Sequence, residues 1–454
     1  MEDVVSLAVA QAAAADVAAG PAESPAEDPA EDPAEDPGAR DPGGPPVREA
    51  GSSARSKAEV RTQRVMGGSY RRAVPLPCGP VNRFPFDAVL FDLDGTLVAT
   101  DRFWPDVARA ATLEVFRERG VTRGIPGAAE WMAMVGLPLE QAFESTFGDL
   151  DLGTREALLV ACAEAGHAQL DRHGATLLAG VEETLADLSA RGVRLGIASN
   201  CSPEYLELML TRAGLERWIE EGRCLASPGV RDKGDMIEDL LHTFGTRSAV
   251  MVGDRAGDRD AAWANGLPHV HIPRGYCGGG DDGVEAEAVL AGMEQLLPTC
   301  MARAEAVARC MSQLGGAQRI VVTGLPLAGS TSFATDLAAS FTDVNAPALL
   351  VSGQESGRGG ASAWAQGSGA PLIVDVHLDD ADAALARADA LVLVSAETEV
   401  LERRARGQRI GVAPLERLVE VLPGAQRHLD ELHRSWDRCT VQVDSSNALS
   451  PGVR

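Results

Sequence analysis

The chain has 454 residues, room for two or three domains of ordinary size. Its formal net charge of -25 at pH 7 excludes nonspecific binding to a polyanion such as nucleic acid by the chain as a whole. No stretch reaches the roughly 18 apolar residues of a membrane span, and the Met1-Glu2-Asp3 start lacks the basic region of a secretory signal. A cytoplasmic protein, with no nucleic-acid or membrane partner, is therefore expected.

Charge is distributed unevenly. The first fifty residues hold 12 acidic and 2 basic side chains, a net of -10. Pro-Ala-Glu-Asp units recur between about Pro25 and Pro37, and large apolar residues stay scarce to residue 83. Arg55, Lys57, Arg61, Arg64, Arg71 and Arg72 then form a basic stretch. Residues 1–83 are expected to be a disordered tail, acidic then basic, with an Ala-rich helix over Ser6–Ala19. The 8 cysteines are scattered without CxxC spacing and read as reduced thiols.

From Phe84 short apolar runs alternate with helical stretches. Strands are predicted over Ala88–Asp92, Arg194–Ser199, Ala249–Gly253 and His269–Ile272. Helices are predicted over Val181–Ala190, Pro203–Ala213 and Gly234–Phe244, the second with Pro203 behind Ser202 as its cap. This alternation predicts a parallel sheet covered by helices on both faces, a three-layer α/β/α arrangement. Between Thr96 and Val181 the pattern is helical: Arg102–Arg119, Pro138–Phe147 and Thr154–Arg172, broken at Gly124-Ile125-Pro126-Gly127. An all-α insertion there would sit over the strand ends, where open α/β sheets bind ligands.

The chemistry gathers at those ends. Phe91-Asp92-Leu93-Asp94-Gly95-Thr96 closes the first apolar run. Two aspartates two apart on a strand point the same way, so they can share one divalent cation and one phosphoryl group. Ser199-Asn200 closes the second strand, and Gly253-Asp254-Arg255-Ala256-Gly257-Asp258 follows the third. Lysine is scarce: among 41 basic Lys+Arg residues only Lys57 and Lys233 are lysines. Lys233, at the start of a helical stretch, therefore carries information, since a compact ammonium is retained where arginine is otherwise used. Carboxylate and carbonyl oxygens suit Mg²⁺ rather than zinc.

These four motifs, in this order, resemble the haloacid dehalogenase superfamily over about residues 84–300. The resemblance implies a Rossmann-like core with an inserted helical cap, about 101–178. It assigns Asp92 as nucleophile, Asp94 as acid and base, and Lys233 as the cation holding Asp92 and phosphate. It implies phosphate contacts from Thr96, Ser199 and Asn200. Its Mg²⁺ site would use Asp92, the Asp94 carbonyl and Asp254, with Asp258 supporting the lysine or the metal shell. The second aspartate argues against a dehalogenase, and the absence of lysine from 97–198 disfavours a phosphonatase with its Schiff-base lysine. The expected activity is hydrolysis of a small phosphorylated metabolite, similar to phosphoglycolate phosphatases, with a phosphomutase as the alternative. Arg102, Arg109 and Arg123 are candidate cap contacts to a second anionic group of the substrate.

A helix is predicted over Glu285–Gln313, residues 301–315 serving as linker, and then the alternation restarts. Strands are predicted at Arg319–Thr323, Leu372–Val376, Ala390–Ser395 and Thr440–Val443. Helices are predicted at Ser330–Ser340, Thr398–Arg406 and Pro414–His433. Gly324-Leu325-Pro326-Leu327-Ala328-Gly329-Ser330-Thr331 resembles the phosphate loop of P-loop kinases, with Ser330 where lysine belongs. Residues 316–454 thus resemble a degenerate P-loop nucleotide or nucleoside kinase domain. The implied role is nucleotide binding at Gly324, Gly329, Ser330 and Thr331 without kinase catalysis, or a nucleotide-sensing scaffold.

Overall fold

The computed structural model describes residues 83–274, 283–343, 348–352, 370–407 and 414–454. The expected disordered tail, apart from residue 83, lies outside the described residues, as does its Ser6–Ala19 helix.

The first sheet grows from β1 (Ala88–Phe91), a run of four buried residues. β2 (Arg194–Ala198), β3 (Glu221–Arg223), β4 (Ala249–Gly253), β5 (His269–His271) and β6 (Ala288–Val289) complete it. The order is β3-β2-β1-β4-β5-β6, and every pairing is parallel. Side chains alternate across it. Val89, Phe91, Leu195, Ile197, Val250 and Val252 enter one core, while Ala88, Leu90, Ala198, Ala249 and Met251 enter the other. The first face is covered by α5 (Val181–Ala190), α6 (Pro203–Arg212) and the N-terminal part of α9 (Leu296–Leu314). The second is covered by α7 (Lys233–Phe244) and α8 (Ala256–Ala264). α7 buries Met236, Ile237, Leu240, Leu241 and Phe244 along one stripe, each worth about 1.5–3 kcal/mol of burial.

The insertion folds as four helices, α1 (Trp104–Arg119), α2 (Ala128–Met134), α3 (Leu139–Phe147) and α4 (Leu152–His173). Trp131, Phe143 and Phe147 stack at its centre, with Phe116 against Phe147. α2 begins directly after the Gly124–Gly127 break, where no element was predicted. Gly127 starts it, and the Glu130 carboxylate accepts the Gly127 N–H at 2.7 Å, so the glycine-proline run is a helix entrance.

The predicted helix over Glu285–Gln313 is corrected. Residues 288–289 form edge strand β6, and the helix starts only at Leu296, because pairing with β5 captures the upstream segment. α9 then runs unbroken through the expected linker. Leu296 and Cys300 pack in the core on the first face of this sheet; Val307, Cys310, Met311 and Leu314 pack in the core of a second sheet. One helix therefore serves both cores.

The second sheet contains β7 (Arg319–Gly324), β8 (Leu349–Ser352), β9 (Leu372–Asp375), β10 (Ala390–Ser395), β11 (Cys439–Asp444) and β12 (Gly452–Val453). Its order is β12-β11-β10-β7-β9-β8, parallel except for β11 with β12. α10 (Ser330–Asp343), α11 (Ala381–Leu385), α12 (Thr398–Gly407) and α13 (Pro414–Ser435) accompany it. A second α/β fold is thus present. No described helix is long and apolar enough to cross a membrane.

β5 carries an unusual core residue. His269 is fully buried and neither ring nitrogen meets a hydrogen-bond partner. Burial pushes its imidazole down to about 4. The folded state therefore favours the neutral ring. Its contribution is complete above the unfolded value of about 6.5 and is lost as pH falls towards 4. At pH 5 the loss is about 2 kcal/mol. His269→Leu is expected to remove that part of the acid sensitivity, measured as the difference in urea midpoint between pH 8 and pH 5. An unchanged difference would show that other groups carry it.

Candidate active site

Strand register assembles the site. Phe91 pairs with Ile197 on one side and Val252 on the other. Asp92, Ser199 and Asp254 consequently emerge together from the C-terminal ends of β1, β2 and β4, and all three are buried. Lys233 is delivered by the first turn of α7, whose N-cap Asp232 accepts the Asp235 N–H at 3.1 Å. Its ammonium donates to Asp92 Oδ1 at 2.7 Å and to Asp258 Oδ1 at 2.6 Å. Asp258 also accepts the Arg255 N–H at 2.9 Å, which closes the start of α8 around the same cluster.

The remaining oxygens are unmatched. Asp92 Oδ2 and both oxygens of Asp254 are buried without a hydrogen-bond partner. One oxygen from each of Asp92, Asp254 and Asp258 lies within 4.8 Å of the others. Buried carboxylates without partners are costly unless a cation joins them, so this oxygen-only set fits a hard divalent ion. Burial pushes the Asp92 carboxyl up to about 7 despite the adjacent Lys233, and drives Asp254 well above its ordinary range. Burial would depress Lys233, but the Asp258 and Asp92 charges outweigh it and hold the ammonium above the usual lysine range.

Asp94 is held by residues the motif reading did not include. Thr100 Oγ1 donates to its Oδ1 at 2.6 Å and Tyr205 Oη donates to the same oxygen at 2.8 Å. Burial raises the Asp94 carboxyl, and the two hydroxyls oppose that rise. Tyr205 is placed by the α6 cap, where Ser202 Oγ accepts its N–H at 3.2 Å. No spacing rule links Tyr205 to Asp94; only packing of α6 does. Thr96 is fully buried with its hydroxyl unpartnered. Asn200 turns towards the cap, donating to the Gly136 carbonyl at 3.0 Å. Arg123 is engaged inside the cap, with Asp149, the Thr146 carbonyl at 2.7 Å and the Phe147 ring. Arg102 and Arg109 are exposed.

In the second sheet the glycine loop follows β7. A Cβ on Gly324 would lie 2.2 Å from the Val394 carbonyl oxygen, so only glycine fits against β10 there. Leu327 and Gly329 both have positive φ, 63° and 84°, and the Ala328 N–H between them donates to the Leu325 carbonyl at 3.0 Å. Burial raises the Asp375 carboxyl at the end of β9, and the nearby Thr331 and Ser330 hydroxyls oppose that rise. Arg404 on α12 donates to the Leu327 carbonyl at 2.9 Å and the Ser445 carbonyl at 2.7 Å.

Comparison with known proteins matches residues 89–272 to the haloacid dehalogenase-like hydrolases. A phosphoglycolate phosphatase of Xanthomonas campestris is 33% identical over 222 residues, covering 45% of this chain and 91% of the relative. The chain belongs to the haloacid dehalogenase-like hydrolase family. Another relative, the tyrosine-protein kinase PtkA of Mycobacterium tuberculosis, is 29% identical over 195 residues. That match covers 41% of this chain and 62% of PtkA, so the chain spans less than two thirds of that relative's length. Among solved structures, a predicted phosphoglycolate phosphatase from Haemophilus somnus aligns with 20% identity and a TM-score of 0.42, covering 47% of this chain and 97% of that one.

Proposed function

We propose that this hydrolase is a Mg²⁺-dependent phosphatase acting on small phosphate monoesters through an aspartyl-phosphate on Asp92. The observation that carries the reading is the Lys233 ammonium bridging Asp92 and Asp258 beside the partnerless oxygens of Asp254. In this mechanism Asp92 attacks phosphorus and the ester P–O bond breaks. Asp94 gives its proton to the leaving oxygen. Asp94 then takes a proton from water, which attacks phosphorus and releases phosphate as the P–O bond to Asp92 breaks. The raised Asp94 carboxyl suits the first, protonated role. Thr100 and Tyr205 fix its rotation. Thr96 and Ser199 offer hydroxyls to phosphoryl oxygens. Asp92 and Asp254, with the Asp94 carbonyl, would hold Mg²⁺, with Asp258 in support. The ion would screen the charge that builds between carboxylate and phosphoryl group.

The test is inorganic phosphate release from p-nitrophenyl phosphate and a panel of phosphorylated metabolites. EDTA is expected to suppress release, and Mg²⁺ to restore it and to raise the melting temperature, since an ion that binds only the folded state stabilises it. Transfer of the phosphoryl group within a sugar phosphate, without release, would favour a mutase instead. Full activity in EDTA would sink the metal reading.

A second reading concerns the loop after β7. Its alternating backbone, Asp375 beside Ser330 and Thr331, and the order reversal around β7 favour a phosphate-bearing nucleotide held by Gly324, Gly329, Ser330 and Thr331. Lacking the lysine, the loop is assigned binding and no phosphoryl transfer. Calorimetric titration of the full chain with ATP or GTP decides it, and no heat at millimolar nucleotide removes it.

A further inference from the structure

Two catalytic loops reach into the cap through the residue that follows each motif. Asn200, next to Ser199, donates to the Gly136 carbonyl at 3.0 Å. Arg255, next to Asp254, donates through Nη2 to the Met132 carbonyl at 3.0 Å and the Ala133 carbonyl at 3.2 Å. These last two belong to the final turn of α2, where the Met132 carbonyl also accepts the Val135 N–H of the C-cap at 3.2 Å. A guanidinium there meets the negative end of the helix dipole. Gly136 completes the arrangement. Its φ is 81°, and a Cβ at that position would lie 3.1 Å from Arg255 Nε. The turn after α2 therefore rests directly on the arginine.

Arg255 also belongs to the catalytic cluster. Its N–H is held by Asp258, and Asp258 holds Lys233. A continuous chain runs from the α2 carbonyls through Arg255, Asp258 and Lys233 to Asp92. Met132 and Val135, on the same turn, pack with Trp104 of α1, which also packs against the main cap core that holds Met134.

We infer that Arg255 and Asn200 are positioning residues that latch the 132–136 turn of the cap against the phosphoryl site. Through Arg255, closure is coupled to the placement of Lys233 and Asp92. Neither residue needs to touch the reacting atoms. The bond geometry is independent of the phosphatase reading; the effect on turnover rests on it.

Hydrogen exchange by mass spectrometry and kinetics on the full chain test the latch. Asn200→Ala and Arg255→Ala are each expected to speed exchange in residues 128–138, with residues 319–324 of β7 unchanged as an internal standard. Arg255→Ala is expected to speed exchange in 253–258 as well. With saturating Mg²⁺, kcat for p-nitrophenyl phosphate is expected to fall about 10- to 100-fold in Arg255→Ala. Arg255→Lys, which keeps one cationic donor, should recover part of it. The double variant should lose less than the product of the two single losses, because both residues hold one closure. If Arg255→Ala misfolds, Asn200→Ala, which leaves the start of α8 intact, decides the matter. Unchanged exchange in 128–138 in a folded single variant overturns the latch. If the wild-type chain releases no phosphate, the phosphatase reading fails, while the exchange result still decides the latch.

Discussion

Asp92→Asn is expected to reduce phosphate release from p-nitrophenyl phosphate by about 1000-fold or more while the protein stays folded. The amide keeps the shape of the carboxylate, and its oxygen can still accept from Lys233, whose ammonium lies 2.7 Å from Asp92 Oδ1. On the proposed mechanism what disappears is the nucleophile, since an amide cannot form the acyl-phosphate. The substitution also removes one negative charge from a buried cluster in which Asp254 has no partner for either oxygen. The melting temperature of the metal-free variant at pH 8 is therefore expected to match or exceed that of the metal-free wild type. Thermal melts and initial rates measured on one preparation check both halves. Wild-type turnover in the variant would remove Asp92 from the mechanism.

Lys233→Met has the larger expected effect on stability. Lys233 is only 7% exposed, and its ammonium joins two carboxylates that are themselves buried. Breaking a buried pair from one side leaves its charges uncompensated, at a cost of about 3–5 kcal/mol. Urea unfolding should report that loss, and turnover should vanish with it. Lys233→Arg is not expected to rescue either property. A planar fork cannot replace a point donor wedged between oxygens at 2.7 and 2.6 Å. The measurement belongs at pH 8, above the value of about 7 to which burial pushes Asp92, and wild-type stability of Lys233→Met there would mean that Lys233 compensates no buried charge.

Much of the first sheet was legible because each central strand is an apolar run ending at a polar motif. β1, β2 and β4 carry Asp92, Ser199 and Asp254 just past their last paired residues. The short edge strands β3 and β6 were not legible. Two or three residues without a fully buried face give no periodic signal, and pairing alone makes them strands. β6 explains why the helix predicted from Glu285 begins only at Leu296. α2 was hidden for a related reason: a short helix behind Gly127 looks like a loop until Trp131 is seen buried at the centre of the cap. Lys233 was legible by scarcity. Thr100, Tyr205 and Arg255 were not, since threonine, tyrosine and arginine at those positions read as ordinary helix or loop residues.

The amino-acid sequence by itself determined the order of elements around the four motifs, the oxygen-rich character of the site and the loss of lysine from the second glycine loop. These are local properties, carried by apolar runs and by residue types. Only the tertiary structure decided that Lys233 meets Asp92 across 141 positions and that Tyr205 reaches Asp94 across 111. It alone decided that Arg255 grips the cap and that one helix serves both cores. Such contacts depend on strand register and on the direction of each side chain once helices pack on the sheet, and no local spacing encodes either.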